Sequence, residues 1–246
     1  MLNKRVFRLI ISLLVTAAWM ILLCLLTDAE NPSRILVLLG GTMPEGLIQG
    51  VTYFLFVFGI LELVAVNNKI TYEEDVFSTH PLPEKENWVL NADDVTQIKL
   101  NMQQLQKSRK YLMTDLIIKA CIKYRLSKSS SESLGVVESQ INIYDAEMES
   151  EQSFINYVAW AIPSVGFIGT VLGIAASLGF ANEASTPEGL NKVTSMLGVA
   201  FDTTLVALVL SIFLMWGIHY VHKRQDSLFA KMKSYVIENF INRLYK

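Results

Sequence analysis

Four long apolar stretches constrain the fold of this chain more than any other feature. They occupy residues 9–26, 46–66, 154–180 and 193–219. Each is close to the length of about 20 residues that a helix needs to cross the hydrocarbon core of a bilayer. A hydrophobic content of 52% is also more than a soluble core requires. We therefore predict an all-α polytopic membrane protein with four transmembrane helices.

The first stretch begins as a secretory signal peptide does, because Lys4, Arg5 and Arg8 precede it. A signal peptide, however, has an apolar region of only about 7–15 residues and ends at a small-residue cleavage site. This stretch is longer and ends in Leu-Leu-Thr-Asp-Ala-Glu. We interpret it as an uncleaved membrane anchor.

The positions of Lys and Arg predict the orientation, because cytoplasmic flanks keep the positive residues. Basic residues are frequent before the first stretch, within residues 67–153 and after the last stretch. The connection at residues 181–192 instead carries Glu183 and Glu188 against Lys192 alone. We predict that both termini and residues 67–153 are cytoplasmic and that two short loops face outward.

The polar parts of the chain also show helical periodicity. Asn91 is a candidate cap for a helix that reaches about Arg125, with apolar residues at three- and four-residue steps. These residues are Val95, Ile98, Met102, Leu105, Leu112 and Leu116. A second stripe starts at Val137 and runs into the third membrane stretch, and a third continues the fourth stretch into the tail. We predict a cytoplasmic stalk built on these two long helices.

These patterns divide the chain into four regions. They are a first membrane helix pair at residues 1–66, a cytoplasmic helical region at 67–153, a second membrane pair at 154–219 and a C-terminal helix at 220–246. A short apolar run, Ile35 to Leu39, cannot span a bilayer and is predicted to lie at its interface.

The third membrane stretch carries one face of small and weakly polar residues. At 100 degrees per residue, this face lies within about 60 degrees of Thr170. Its members are Pro163, Gly166, Gly173 and Ser177. Gly169 and Gly173 also form a small-xxx-small motif, which lets two helix backbones approach closely. Close helix packing explains this face without any further function.

The fourth stretch adds polar residues well inside the membrane. Asp202, Thr203 and Thr204 are consecutive, and Thr204 shares a small face with Ala200, Ala207 and Ser211. A charged side chain at the centre of a membrane helix costs roughly 2.5–3.5 kcal/mol, so Asp202 must face protein or water. It projects about 160 degrees away from Thr204 on an ideal helix. We therefore favour Asp202 as a polar contact between helices or subunits over a role as ion carrier.

Two motifs give the chain a family resemblance. The first is Pro163-x-x-Gly166-x-x-Gly169-Thr170-Val-x-Gly173, and the second is Ala200-Phe-Asp-Thr203-Thr204 in the following helix. Together they resemble the MotA/TolQ/ExbB proton channel family over roughly residues 153–246. The four-span pattern with a long second-to-third connection is more similar to the flagellar-stator branch than to the three-span Tol and Exb branch.

The resemblance implies the ion channel of a rotary motor in a bacterial inner membrane, driven by proton or sodium flow. Five copies would surround two copies of a single-span MotB/TolR/ExbD-like protein, whose membrane aspartate takes up and releases the ion. Residues 154–219 would form the channel, with the pair in residues 1–66 at its periphery. Thr170, Thr203 and Thr204 would line the ion pathway, and the small residues would form its wall.

Other functions have weaker support. We find no nucleotide-binding loop, no basic patch with interleaved aromatics and no disulfide framework, and we predict no enzymatic activity, cofactor or nucleic-acid partner. His219 and His222 are interpreted as residues of the membrane interface and not as metal ligands. Glu62 is expected to snorkel or to pair with a basic residue. A membrane scaffold and a secondary transporter with Asp202 as carrier site stay open as alternatives.

Overall fold

The computed structural model describes residues 2–27, 32–84 and 89–244, and within these ranges the chain is helical. The predicted regions 1–66, 67–153 and 220–246 each include a few residues outside these ranges. The seven α-helices of the described residues are α1 (Leu2–Leu26), α2 (Arg34–Leu38), α3 (Leu47–Glu74), α4 (Ala92–Ser108), α5 (Leu112–Ser127), α6 (Ser130–Gly179) and α7 (Pro187–Asn239). Short 3₁₀ helices follow α3, α6 and α7.

Among the described residues, four helices are long and apolar enough to cross a membrane. They are α1, α3, α6 and α7, which match the four apolar stretches of the sequence to within one residue at each stretch that they do not fully contain. The predicted all-α class and number of membrane-spanning helices are thereby confirmed. At the start of α7, Pro187 takes the first helical position, and the Thr186 hydroxyl accepts the Gly189 N–H at 3.1 Å.

The chain divides into two compact units. We call Met1–Ala65 with Ser153–His219 the apolar unit, and Val66–Gln152 with Tyr220–Lys246 the polar unit. Helices α3, α6 and α7 contribute residues to both.

The apolar unit exposes large apolar side chains. Phe167, Phe201 and Trp216 are 64%, 65% and 72% exposed. A soluble protein rarely leaves a surface of this kind in water, whereas a lipid-facing surface has this composition. The helices meet instead through small residues: a Cβ on Gly59 of α3 would lie 2.9 Å from Leu214 of α7.

The connection between α1 and α3 contains α2, which packs against the long helices of the apolar unit. Leu36, Leu38 and Leu39 contact a buried cluster of Met20, Leu23, Tyr53 and Val206. The Tyr53 hydroxyl donates to the Leu39 carbonyl at 3.1 Å. The predicted interfacial run is thus a short helix fixed to α1, α3 and α7.

The polar unit has a core of large apolar side chains. Ile98 and Met102 of α4, Leu116 and Ile117 of α5, Ile141 and Met148 of α6, and Leu228 and Met232 of α7 are all buried. The predicted stripes supply most of this core. Both cysteines of the chain are free thiols, and burial raises the pKa of the Cys121 thiol to about 12.

One prediction for the polar unit is wrong. The sequence predicted a single helix from Asn91 to about Arg125, but the chain forms α4 and α5 with a break at residues 109–111. The end of α3 explains this break. The Leu112 N–H donates to Glu73 at 2.7 Å, and the Arg109 guanidinium donates to Asp75 at 2.9 Å. The first contact satisfies a backbone N–H that begins a new helix without an intrahelical partner, and the second holds the side chain of the residue at the break.

Candidate functional site

Helices α6 and α7 approach each other closely along their small faces. A Cβ on Gly166 would lie 2.4 Å from the Ala207 Cβ, and a Cβ on Gly173 would lie 2.7 Å from the Ala200 Cβ. At Gly173 the backbone of Ala200 is also within 3.0 Å of that position. Only glycine fits at these two contacts without separating the helices. The small faces predicted from the two sequences therefore pack against each other within one chain.

Thr170 and Thr204 meet at this helix contact. Their hydroxyl oxygens are in hydrogen-bonding contact, and both side chains are half-buried. The Thr170 hydroxyl also donates to the Ala200 carbonyl at 3.0 Å, and the Thr204 hydroxyl donates to the Gly166 carbonyl at 2.8 Å. We call this group of two hydroxyls and two carbonyls the threonine pair.

The two hydroxyl protons of the threonine pair cannot fill all three of its hydrogen-bonding contacts. Each hydroxyl carries one proton and two lone pairs. When both hydroxyls donate to carbonyls, the contact between Thr170 and Thr204 has no proton of its own. When one hydroxyl turns to donate to the other, it gives up its hydrogen bond to a backbone carbonyl. In both arrangements the hydroxyl oxygens keep lone pairs that can accept from a protonated carboxyl group or contact a cation, and a hydroxyl can donate outward by giving up one of these hydrogen bonds.

Thr203 has a different environment from its neighbour Thr204. It is 1% exposed, and its hydroxyl donates to the Ala200 carbonyl of its own helix at 2.9 Å. A Cβ on Gly169 would lie 2.5 Å from the Thr203 hydroxyl oxygen. Within the chain, Thr203 thus lies between α6 and α7 and not on an open surface.

The other predicted face residues lie along the same contact or beside it. The Ser177 hydroxyl donates to the Val193 carbonyl at 3.2 Å and so links the C-terminal end of α6 to the N-terminal part of α7. Ser211 is buried and donates to the Leu208 carbonyl of its own helix at 2.8 Å. Pro163 is half-buried inside α6.

Asp202 forms an ion pair on the opposite side of α7. It is 3% exposed, and its carboxylate accepts two hydrogen bonds from the Arg34 guanidinium, one of them at 2.6 Å. Arg34 is the first residue of α2, and its side chain is 64% exposed. The hydrogen bonds to Asp202 raise the pKa of Arg34 above its ordinary value. Asp202 thus makes a contact between helices, while its predicted contact between subunits stays a prediction.

A second buried acid is also paired. Glu62 of α3 accepts from Arg8 at 2.8 Å and from Arg5 at 3.3 Å. This confirms pairing as the correct alternative for Glu62. Across residues 2–27, 32–84 and 89–244, no group of three or more His, Cys, Asp and Glu is placed to hold a metal ion.

Arg34 is the residue of this site that the sequence reasoning missed. The available signal was its isolation: it is the only basic residue between residues 27 and 46. An isolated cation in a short loop between two membrane helices and an isolated acid in a membrane helix are natural partners. The sequence could suggest this pairing but could not show that α2 lies against α7.

Comparison with known proteins gives one match. The model of the MotA/TolQ/ExbB proton channel family matches residues 109–234, just over half of the chain. The matched segment includes the threonine pair and Asp202 but not Arg34 or Glu62. No curated protein and no solved structure matches the chain significantly.

Proposed function

This chain belongs to the MotA/TolQ/ExbB proton channel family, and from that premise we propose that it forms the ion channel of a rotary motor driven by an ion-motive force. Five copies surround two copies of a single-span MotB/TolR/ExbD-like partner in a bacterial inner membrane. The polar unit forms a cytoplasmic stalk. The observation that carries the proposal is the threonine pair, placed among the close glycine contacts between the two helices of the family segment.

The partner supplies the group that titrates in this proposal. Its membrane aspartate takes up an ion from outside, turns within the ring of chains and releases the ion toward the cytoplasm. Thr170 and Thr204 of each chain offer this carboxyl group a hydroxyl donor when it is charged and an acceptor when it is protonated. Hydroxyl and carbonyl oxygens also suit a partly dehydrated sodium ion, so the same geometry serves proton or sodium.

The structure of the Asp202 site supports the proposal that the titrating group belongs to the partner and not to this chain. A carrier carboxylate has to exchange its ion, whereas both oxygens of Asp202 are held by Arg34. This argues against a secondary transporter with Asp202 as its carrier site. It leaves the threonine pair as the polar group of α6 and α7 that can serve an ion.

The exposed apolar side chains support an assembly that covers part of them. Phe167 of α6 and Phe201 and Leu205 of α7 are half or more exposed in the single chain. In a ring, neighbouring chains cover some of this surface and lipid covers the rest. The same exposed surface also serves a membrane scaffold, which needs no ion pathway.

The proposed assembly can be tested by its composition. The chain is co-expressed with the product of a neighbouring gene that encodes one membrane span with an aspartate and an external domain. We expect the two to co-purify, with native mass spectrometry giving five chains to two partners. A lone monomer or dimer, with no association with such a partner, would contradict the motor proposal.

A further inference from the structure

We propose that the Arg34–Asp202 ion pair is a positioning device, through which the first external loop fixes the orientation of α7 and thereby holds Thr204 against Thr170. The pair can do this because both carboxylate oxygens are held and because Asp202 lies on the same turn of α7 as Thr204. The role of the threonines in conduction rests on the function proposed above. Their position within the chain is observed and does not depend on that function.

The pair is built to hold one orientation. Asp202 is buried, and Arg34 donates to both of its carboxylate oxygens. Two parallel hydrogen bonds between a planar guanidinium and a planar carboxylate fix direction as well as distance. Arg34 itself is largely exposed, but its removal would leave the buried Asp202 carboxylate without compensation, which destabilises the chain.

Arg34 is itself firmly placed. It begins α2, where the Ser33 side chain accepts the Leu36 N–H at 3.3 Å as a helix cap. After α2, the Gly41 N–H donates to the Leu36 carbonyl at 2.8 Å. The apolar side of α2 packs on Met20, Leu23, Tyr53 and Val206. The guanidinium therefore extends from a support that is attached to α1 and α3 as well as to α7.

The pair acts at the same turn of α7 as the threonines. Asp202 and Thr204 project about 160 degrees apart on a helix. Thr204 is held by Gly166 and Thr170 of α6 on one side, while Asp202 is held by Arg34 on the other. A rotation of α7 that keeps one contact loses the other. One orientation of α7 therefore satisfies both, and a movement of α2 is transmitted to the threonine pair.

A disulfide between positions 170 and 204 reports this orientation directly. The full chain carries Thr170→Cys and Thr204→Cys, with Cys24 and Cys121 replaced by alanine. Because the two hydroxyl oxygens are in contact, the sulfur atoms of cysteines at these positions are expected to lie close together. The rate of cross-linking is measured in membranes under mild oxidation, and thermal stability is measured on the same variants in detergent.

The informative variants remove the pair in two ways. Arg34→Met leaves a buried carboxylate uncompensated, so both stability and cross-linking should fall. Arg34→Met with Asp202→Asn removes the uncompensated charge, so stability should recover. The rate of cross-linking should stay roughly fivefold or more below that of the chain with the intact ion pair. Arg125→Met, which removes an exposed arginine of α5, is the matched control and should change neither.

The two readouts separate positioning from simple stabilisation. If the double variant regains wild-type cross-linking together with its stability, the pair only compensates charge and the inference is wrong. Wild-type cross-linking in Arg34→Met would overturn it equally. Because cross-linking needs no ion flow, a chain that fails to conduct can still confirm the positioning role.

Discussion

The helices inside the apolar unit and those inside the polar unit pack by different principles. In the apolar unit many large side chains are exposed, among them Phe167 and Trp216, and α6 and α7 meet through Gly166, Gly173 and Ala200. In the polar unit several large side chains are fully buried, and Leu116 and Met232 are 0% exposed. Lipid gives helices no hydrophobic reason to associate, so close approach and hydrogen bonds take over. In water, burial of apolar surface drives packing.

This difference predicts which kind of change each unit tolerates. The apolar unit has no space for added atoms between α6 and α7, although it loses little when an outer side chain is shortened. The polar unit is sensitive to removed atoms, because each large core side chain fills space that nothing else can fill. The threonine pair lies in the close packing between α6 and α7, and this matters for function. The separation of its two hydroxyls is set by the two helix backbones and not by long, flexible side chains.

The largest effect is expected from adding a side chain at Gly173. A Cβ there already lies within 3.0 Å of the Ala200 backbone, so Gly173→Leu must push α6 and α7 apart. We expect loss of the folded helix pair and of the assembled complex, measured by size-exclusion chromatography after detergent extraction. Gly179→Leu in the same helix is the control, because a Cβ there meets nothing within 4 Å. Normal assembly of Gly173→Leu would show that close approach is not what joins these helices.

A smaller effect is expected from removing a side chain in the polar unit. Leu116→Ala should lower the free energy of unfolding by about 2–5 kcal/mol, because it deletes a fully buried side chain and leaves a cavity. Leu126→Ala on the same helix is matched in chemistry, but Leu126 is 80% exposed, so its change should stay within about 0.5 kcal/mol. Thermal unfolding in detergent ranks the two variants. Equal midpoints would mean that this core does not hold the polar unit together.

The sequence predicted the membrane helices well because their signal is local. Apolar length alone identified four spans, and the stripes of Ile98, Ile141 and Met232 correctly marked buried faces. The break between α4 and α5 was missed because its cause is not local. Leu105 and Leu112 keep the helical period across residues 109–111, and no Gly or Pro interrupts them. Glu73 and Asp75, more than thirty residues earlier, end the helix there.

The candidate site shows the same limit. Helix geometry was enough to place Asp202 and Thr204 on opposite sides of α7, and the motifs were enough to predict the family that the match confirms. The partner of Asp202 required knowledge of where α2 packs. The buried position of Thr203 against Gly169 likewise depends on the rotation of α7 relative to α6.

If the threonine pair serves ion flow, its removal should lower flux through the purified complex of chain and partner in liposomes. Thr170→Ala and Thr204→Val are compared with Thr194→Val, an exposed threonine of α7 that bonds only to carbonyls of its own helix. We expect complexes of normal composition in all three. Flux should fall roughly tenfold or more in the first two, the factor expected for loss of a hydrogen bond to a charged group, and should not change in the third. Unchanged flux in both Thr170→Ala and Thr204→Val would show that the threonine pair does not serve ion flow.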